Sequence, residues 1–260
     1  MSIGIFDSGI GGLTVFKEIA KAFPKADIYY LGDTARVPYG NKSKETIIRY
    51  SIECADFLVK NFDVDILVVA CNTASSHALD ILKKYLQIPV IGVVIPGAEM
   101  AVKTTKNKKV GVIGTIATIR SNAYKEAIER LDKDIELYQK ACPLFVPLVE
   151  EGMIDNQIAK LVIKEYLQEI IDKGIDTLIL GCTHYPLLKD TIKNIYPDIS
   201  IVDSSQNIVS HIKNLKINTE ENSIKHIYIT DESPAFEKLK NLLVPEGKTE
   251  KIELSQICNL

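Results

Sequence analysis

The sequence predicts an α/β protein with two pseudo-symmetric lobes, each built on a doubly wound parallel sheet, and an active site in the cleft between them. Two observations support this fold class. Apolar runs alternate with amphipathic helical segments, a pattern that requires parallel strands joined by right-handed crossovers. In addition, residues 65–73 and 176–184 are near copies, and each passes from an acidic residue through an apolar run to a cysteine. Continuous runs rich in Val, Ile and Leu are typical of strands covered on both faces.

The internal duplication extends upstream of the two cysteines, which are 111 positions apart. Residues 3–8 match residues 110–115 at an offset of 107, and the Val-Pro pair at 37–38 matches that at 146–147 at an offset of 109. Each Val-Pro pair precedes a long amphipathic segment. Polar as well as apolar positions correspond, and the matches follow the same order. We therefore infer two homologous lobes rather than a general likeness of α/β segments.

Strands and helices are expected in alternation along the chain. The helix expected at 44–60 carries apolar side chains at helical spacing and charged side chains on its opposite face. The helix expected at 157–172 would begin at an N-cap residue, Asp155 or Asn156, and end before Gly174. Its inward stripe is expected to contain Leu161, Val162, Tyr166, Leu167 and Ile170. Strands are expected at 2–6, 27–31, 65–70, 89–94, 109–113, 143–146, 176–181, 199–202 and, late in the chain, 226–229.

The boundary between the lobes is predicted at residues 95–97, immediately before the second copy begins. The chain would return to the first lobe near residues 203–205, and the polar residues 215–223 would form a surface loop. The predicted division gives a first lobe of residues 1–95 plus 207–260 and a second lobe of residues 96–206.

Composition excludes several classes of protein. The chain has 260 residues, a formal charge of −3, and fractions of hydrophobic (46%) and charged (25%) residues that are ordinary for a globular protein. It has no basic region for nucleic acid and no apolar stretch near the ~20 residues of a membrane span. The N-terminus enters a strand without a signal-peptide pattern, so we expect a cytoplasmic protein. Five cysteines without a C-x-x-C pair argue against a disulfide scaffold and a structural zinc site.

A glycine-rich turn follows the first strand, at residues 7–13. Such a turn at the start of a helix can bind an anion through its backbone N–H groups. A dinucleotide is a poor candidate, because Thr14 stands where the third glycine would be and Asp7 would repel a pyrophosphate. A carboxylate is the better guest. For Gly9 and Gly12 a purely conformational role in the turn is an equally good interpretation.

Two thiols at corresponding strand ends predict proton transfer in both directions. Ligands of parallel sheets bind outside the carboxyl ends of the strands, where Cys71 and Cys182 are expected. Removing the proton α to a carboxylate requires a base on one face of the carbon and an acid on the other. A helix N-terminus after each cysteine would lower the pKa of its thiol. A Cys–His hydrolase would leave Cys71 without a role, and zinc would find only Cys182 and His184 at ligand spacing.

Several motifs together resemble those of the cofactor-independent glutamate racemases of the aspartate/glutamate racemase superfamily. They span about the first two hundred residues, in the order expected for that family. Gly114-Thr115 with Thr118, and Pro147 with Glu150, also fit the pattern. The motifs are FDSGIGG at 6–12, VPYG at 37–40, ACNTA at 70–74 and GCTHYP at 181–186.

The resemblance implies the roles of individual residues. Cys71 and Cys182 would be the two acid/base groups, with Asp7 beside the first and Glu150 and His184 beside the second. Because Glu151 is adjacent, which of the two glutamates assists Cys182 stays open. The resemblance also implies production of D-glutamate for the bacterial cell wall, without metal or other cofactor, by a homodimer. The net charge and the lack of a long apolar stretch predict that the protein binds neither nucleic acid nor membrane. The substrate site would be lined by Asp7, Ser8, Pro38, Tyr39, Gly40, Cys71, Asn72, Thr73, Thr115, Thr118, Thr183 and His184.

Two alternatives are kept beside glutamate racemisation. The first is a racemase of the same superfamily that acts on aspartate or a related acid, because one methylene is worth only about 1–3 kcal/mol in a pocket. The second is a non-catalytic binding protein on the same fold. Retention of both cysteines with their acidic and histidine neighbours argues against the second. The remaining thiols and imidazoles are expected to serve packing or solvation, namely Cys54, Cys142, Cys258, His77, His211 and His226.

Overall fold

The computed structural model describes residues 1–215 and 223–258. The predicted loop at 215–223 lies almost entirely outside the described residues. The strands are β1 (Ser2–Asp7), β2 (Asp27–Gly32), β3 (Ile66–Val69), β4 (Val90–Gly92), β5 (Lys109–Gly114), β6 (Glu136–Ala141), β7 (Thr177–Gly181), β8 (Ser200–Asp203), β9 (Lys225–Ile229) and β10 (Lys248–Lys251). The helices are α1 (Leu13–Ala22), α2 (Lys44–Phe62), α3 (Asn72–Tyr85), α4 (Val94–Thr104), α5 (Ile116–Arg120), α6 (Ala123–Leu131), α7 (Phe145–Glu150), α8 (Gln157–Ile171), α9 (Lys189–Ile195), α10 (Ser204–Asn214), α11 (Pro234–Leu243) and α12 (Leu254–Ile257).

Two all-parallel sheets form the two lobes, which confirms the predicted fold class. The first has the order β10-β9-β2-β1-β3-β4 and the second the order β6-β5-β7-β8. The four strands β2-β1-β3-β4 therefore have the same arrangement as β6-β5-β7-β8. Helices cover both faces of each sheet, and the central strands β1, β3, β5 and β7 are almost wholly buried. This burial explains their continuous apolar runs.

The duplication is also visible in a pair of polar contacts. Asp65 and Asp176 precede β3 and β7, and each carboxylate anchors the backbone where the neighbouring strand begins. Asp65 Oδ2 accepts a hydrogen bond from the Ser2 amide at 2.7 Å. Asp176 Oδ2 accepts from the amides of Lys106 and Asn107, at 2.7 and 2.8 Å. The acidic residue at the start of each copy thus has the same structural task in both lobes.

The strand predicted at 143–146 is wrong, because these residues enter helix α7. The sixth strand instead lies at Glu136–Ala141, an edge strand whose side chains are only partly buried. Its mixed sequence ELYQKA gives no apolar run, and the same applies to the unpredicted edge strand β10, KTEK. The Val-Pro pair at 146–147 lies inside α7, whereas the pair at 37–38 is extended.

Helix α8 has the predicted ends but not the predicted face. Asn156 is the N-cap, since its side chain accepts from the Ala159 amide at 2.9 Å, and Gly174 has a left-handed φ of +78°. Leu167 and Ile170 are buried as expected. The side chain of Leu161 is 60% exposed, which contradicts its place in the inward stripe. The predicted stripe includes Leu161 and omits the buried Ile163, because apolar residues occupy more than one face of this helix.

The predicted boundary at 95–97 falls in the first turn of α4, and residues 203–207 form the end of β8 and the start of α10. Helix α4 contributes Val94, Ala98 and Ala101 to the core that covers β5 and β7. Helix α10 contributes Ile208 and Ile212 to the core of the first sheet. The division at these two points stays a proposal. None of the helices in the described ranges is long and apolar enough to cross a membrane.

The corrected face of α8 is testable by two matched substitutions. Leu167→Ala should lower the free energy of unfolding by about 2–5 kcal/mol, because it removes methyl groups from a fully buried site. Leu161→Ala should change it by less than about 0.5 kcal/mol, since the side chain is mostly in water. Both changes replace one strong helix former by another, so helix propensity is controlled. Urea denaturation measures both values. An equal loss of unfolding free energy in the two variants would show that Leu161 belongs to the core.

Candidate active site

The first predicted thiol, Cys71, lies at the junction of β3 and α3. It is the N-cap of α3, and its Sγ accepts a hydrogen bond from the Ala74 amide at 3.5 Å. The Sγ atom also lies 3.6 Å from the Ser8 hydroxyl. The side chain is buried. The sequence-based expectation of a helix N-terminus behind this thiol is therefore met.

The second thiol, Cys182, lacks that helix. It follows β7, but the next residues form only a short 3-10 turn, Tyr185–Leu188, before α9 begins. The expectation of a helix dipole at both junctions is wrong for this side. Its polar neighbour is instead an imidazole, because His184 Nδ1 lies 3.9 Å from Cys182 Sγ.

A partly buried ion pair completes the second side. His184 Nε2 lies 3.1 Å from Glu150 Oε1, whereas Glu151 is exposed. Burial alone would lower the pKa of His184, but its hydrogen bonds with Cys182 and Glu150 outweigh burial and raise the pKa to about 10. The imidazole is therefore protonated at neutral pH, and its positive charge lies beside Cys182.

Electrostatics differ on the first side. Burial, followed by the negative charge of Asp7, raises the pKa of Cys71 to about 12. This direction is opposite to the lowering expected from the sequence. The contact with the helix N-terminus opposes the shift but does not overcome it, because both burial and a nearby carboxylate disfavour a second anion. In the free protein Cys71 is therefore a thiol, and its surroundings differ from those of Cys182, which lies beside an imidazole.

Asp7 lies between the two sides rather than beside Cys71 alone. Its Oδ2 accepts from the Gly9 amide at 3.0 Å, and its Oδ1 accepts from the Thr183 hydroxyl of the second lobe at 3.1 Å. Complete burial raises its pKa, and the charge of His184 partly offsets this rise. The carboxylate thus joins the loop after β1 to the residue that follows Cys182.

Three hydroxyl groups form a closed triangle across the cleft. Thr73 Oγ1 lies 2.9 Å from Thr115 Oγ1 and 3.1 Å from Thr118 Oγ1. The Thr115 and Thr118 hydroxyls are 3.0 Å apart. Thr73 comes from α3 of the first lobe, while the other two belong to the start of α5. The triangle is buried, and Thr115 Oγ1 also accepts a hydrogen bond from the Thr118 amide at 3.2 Å.

Most of the predicted binding residues surround one small cavity, of about 10 Å³. Asp7, Thr118 and Glu150 do not line the cavity. Each instead forms a hydrogen bond with a residue that does. Two lining residues were not predicted, Val37 and Val146. The signal that could have found them is the repeated Val-Pro pair, whose valines reach the same cavity from loops of different conformation. The cavity is lined by Ser8, Val37, Pro38, Tyr39, Gly40, Cys71, Asn72, Thr73, Thr115, Val146, Cys182, Thr183 and His184.

Glycines allow the backbone to approach the site closely. A Cβ atom on Gly40 would lie 2.4 Å from Thr115 Cβ, and one on Gly12 would lie 2.4 Å from Asp7 Cβ. A Cβ on Gly11 would lie 2.5 Å from Thr183 Oγ1. Gly12 thus serves close packing against a site residue, beyond the freedom of a turn. The hydroxyl of Tyr39 donates to Asp33 in the protein interior, which leaves backbone atoms of this loop for a ligand.

The remaining histidines and cysteines have other surroundings. His77 Nε2 lies 3.1 Å from the Ala117 carbonyl oxygen and so connects α3 to α5. His211 pairs with Glu99 at 3.0 Å, between α10 and α4. Cys54 and Cys258 both lie near the guanidinium of Arg36. Within residues 1–215 and 223–258, no group of three or more His, Cys, Asp or Glu side chains is arranged to hold a metal ion.

Comparison with known proteins gives a consistent result over the whole chain. The family model described as Asp/Glu/Hydantoin racemase matches residues 3–212. The glutamate racemase of a Sulfurihydrogenibium species is 71% identical over 260 residues, which is 100% of both chains. Among solved structures, a glutamate racemase isoform from Bacillus anthracis has a TM-score of 0.92 and 38% identity over 97% of both chains. The glutamate racemase of Francisella tularensis in complex with D-glutamate has a TM-score of 0.89 and 39% identity, again over 97% of both chains.

The ion pair makes a prediction about the titration of His184. Glu150→Gln should lower the pKa of His184 from about 10, because it removes one of the two partners that favour the charged imidazole. NMR titration of the imidazole resonances measures the shift. Glu151→Gln is the matched control and should leave the titration unchanged, since Glu151 is exposed and has no contact with His184.

The same pair makes stability depend on pH. A pKa that is raised on folding stabilises the native state fully below the unfolded value of about 6.5 and ceases to do so above the folded value. The contribution of His184 should therefore decline between pH 6.5 and about pH 10. Chemical denaturation across this range should show a smaller decline in Glu150→Gln than in the wild type. An equal decline in both proteins would contradict the assignment of Glu150.

Proposed function

The chain belongs to the Asp/Glu/Hydantoin racemase family, and on this premise we propose that it interconverts L- and D-glutamate by proton transfer between two cysteines. One observation carries the proposal. Cys71 and Cys182 end corresponding strands of the two lobes and line the same small cavity. Two thiols on opposite lobes can reach opposite faces of one α-carbon. Inversion of that carbon requires this arrangement.

The proposed proton transfer follows from the unequal surroundings of the two sulfurs. With the protonated His184 beside it, Cys182 acts as the base: the α C–H bond breaks and an S–H bond forms at Cys182. Cys71 acts as the acid: its S–H bond breaks and a new C–H bond forms on the opposite face of the carbon. The substrate is neither oxidised nor reduced. After turnover the two sulfurs have exchanged states, and the reverse reaction starts from there.

Each thiol has its own means of stabilising negative charge. For Cys71 it is the N-terminus of α3, a helix of 14 residues, through the Ala74 amide. For Cys182 it is the imidazolium of His184, whose charge is maintained by Glu150. Asp7 raises the pKa of Cys71 and so makes its thiolate a stronger base when it forms. We assign the side chains of Asp7, Glu150 and His184 to the support of proton transfer.

Binding of the two carboxylates is assigned to neutral donors. The hydroxyl triangle of Thr73, Thr115 and Thr118 can donate to one carboxylate once its internal hydrogen bonds open. The amide group of Asn72 and the hydroxyls of Ser8 and Thr183 supply further donors around the cavity. The backbone of residues 38–40 closes the cavity on the side where Thr115 lies. Neutral donors suit a site in which the reacting groups already carry charge.

Glutamate is favoured over aspartate as the substrate. Curated glutamate racemases at 71% and 63% identity match the full length of this chain. A structure of an aspartate racemase from Picrophilus torridus has 18% identity and a TM-score of 0.55, which indicates a shared fold only. We further propose a role in supplying D-glutamate for peptidoglycan, in the cytoplasm. The resemblance stated above also supports a homodimer, which sedimentation of the purified chain would measure directly.

The roles of the thiols lead to a direct test. Cys71→Ala and Cys182→Ala should each lower racemisation of both enantiomers by more than roughly 10²–10⁴-fold, because each removes one acid/base group. Circular dichroism of L- and D-glutamate measures the rates, and L-aspartate tests the alternative substrate. Cys142→Ala is the matched control, since this buried thiol does not line the cavity. Near-normal turnover in both directions by either active-site variant would refute the two-thiol reaction.

The asymmetry of the site leads to a second test. Asp7→Asn should impair deprotonation by Cys71 more than by Cys182, and His184→Asn should do the reverse, because each group acts mainly on one sulfur. The equilibrium constant between the two enantiomers is unity, so kcat/KM must fall by the same factor in both directions for each variant. The difference should appear as unequal α-deuterium isotope effects from L- and D-glutamate. Equal isotope effects from both enantiomers would show that these side chains serve binding or structure instead.

A further inference from the structure

The Asn72 side chain has one satisfied and one unsatisfied end. Asn72 is the first residue of α3 and is buried. Its Oδ1 accepts a hydrogen bond of 2.6 Å from the Tyr124 hydroxyl. Its Nδ2 is buried and has no hydrogen-bond partner among the described residues. Buried polar atoms are almost always paired, so an unpaired amide nitrogen in a cavity wall indicates a donor reserved for a ligand.

Tyr124 approaches this amide from the other lobe. It lies in α6, and its ring is buried in the core of the second lobe with Val110, Val112 and Ile179. Its Cε2 atom lies 3.1 Å from the position that a Cβ on Gly181 would occupy, so the ring is packed closely against the end of β7. This packing fixes the direction of the hydroxyl toward Asn72. The position of the hydroxyl is thus set by the second lobe and not by Asn72 itself.

The orientation of an amide matters because its two ends have opposite chemistry. Rotation of the terminal group by half a turn exchanges an acceptor oxygen for a donor NH₂ group at nearly the same place. An oxygen turned into the cavity would repel a carboxylate, whereas the NH₂ group can donate to it. A tyrosine hydroxyl that donates to Oδ1 selects the orientation in which the NH₂ group faces the cavity. The amide is held in this orientation before any ligand enters.

We propose that Tyr124 is a positioning residue for the substrate: across the cleft it holds the Asn72 amide with Nδ2 directed at a substrate carboxylate. The inference rests on the proposed function of the same site. Tyr124 does not touch the substrate. Because the hydrogen bond joins α3 of one lobe to α6 of the other, the donor is in place only when the lobes are as close as they are here. Closure of the cleft is therefore coupled to the orientation of the Asn72 amide.

A double-mutant cycle tests this inference. Tyr124→Phe keeps the buried ring and removes only the hydroxyl, so KM for both enantiomers should rise roughly three- to tenfold, the size expected for loss of one hydrogen bond. The rise in KM should exceed any fall in kcat, because the thiols and their partners are untouched. In an Asn72→Ala background the same change should alter KM less than twofold, since no amide remains to be oriented.

The control and a second measurement separate this role from a structural one. Tyr228→Phe removes another buried tyrosine hydroxyl, one that contacts His226 outside the cavity, and should leave KM unchanged. A crystal structure of Tyr124→Phe should show the Asn72 side chain released from its single conformer. Equal effects of Tyr124→Phe with and without Asn72, or an unmoved Asn72, would overturn the inference while leaving racemisation intact. Absence of glutamate racemisation in the wild type would instead refute the proposed function, and the conformation of Asn72 would still decide the present inference.

Discussion

The site depends on one constraint, namely that the carboxyl ends of two parallel sheets face each other across a narrow, buried cleft. The loops after β1 and β3 on one side, and after β5 and β7 on the other, carry the polar side chains. A buried polar group must be paired, and here the pairs cross the cleft: Asp7 with Thr183, and Thr73 with Thr115. The hydrogen bonds that satisfy these groups are therefore the same ones that hold the lobes together. Substrate entry must exchange some of them for bonds to the ligand.

A symmetric framework supports an asymmetric pair of thiols. Both cysteines end a central strand, yet the chain after Cys71 enters a long helix, whereas the chain after Cys182 makes a short turn that brings in His184. A helix N-terminus and an imidazolium are two different solutions to the same problem of stabilising sulfur anions. The difference places an imidazole beside Cys182, whereas the nearby charge that acts on Cys71 is the carboxylate of Asp7. A two-directional reaction needs such a difference, because one sulfur must begin as the base and the other as the acid.

The C-terminal segment gains a structural explanation from the first sheet. Strands β9 and β10 extend that sheet beyond β2, and the residue after β9 supports the loop that leads to the cavity. Thr230 Oγ1 donates to Asp33 and accepts from the Ala35 amide at 2.9 Å. Asp33 in turn accepts from Arg36 at 2.7 Å and from the hydroxyl of Tyr39. A segment without a recognisable motif thus holds Pro38 and Gly40 at the substrate cavity.

The sequence by itself determined the two-lobed parallel fold and the correspondence of Cys71 with Cys182, because burial on both faces and duplication leave strong local patterns. Most of the cavity lining followed from the resemblance of its motifs to a known family. It could not determine the edge strands at 136–141 and 248–251, whose mixed residues carry no periodic signal. Nor could it choose Glu150 over Glu151, which depends on the register of α7 against His184. Only the tertiary structure decided the orientation of Asn72 and the different surroundings of the two thiols. Tyr124 meets Asn72 across the cleft, and Asp7 acts on Cys71 within the first lobe. Both pairs are far apart in the chain, and burial makes each contact electrostatically strong.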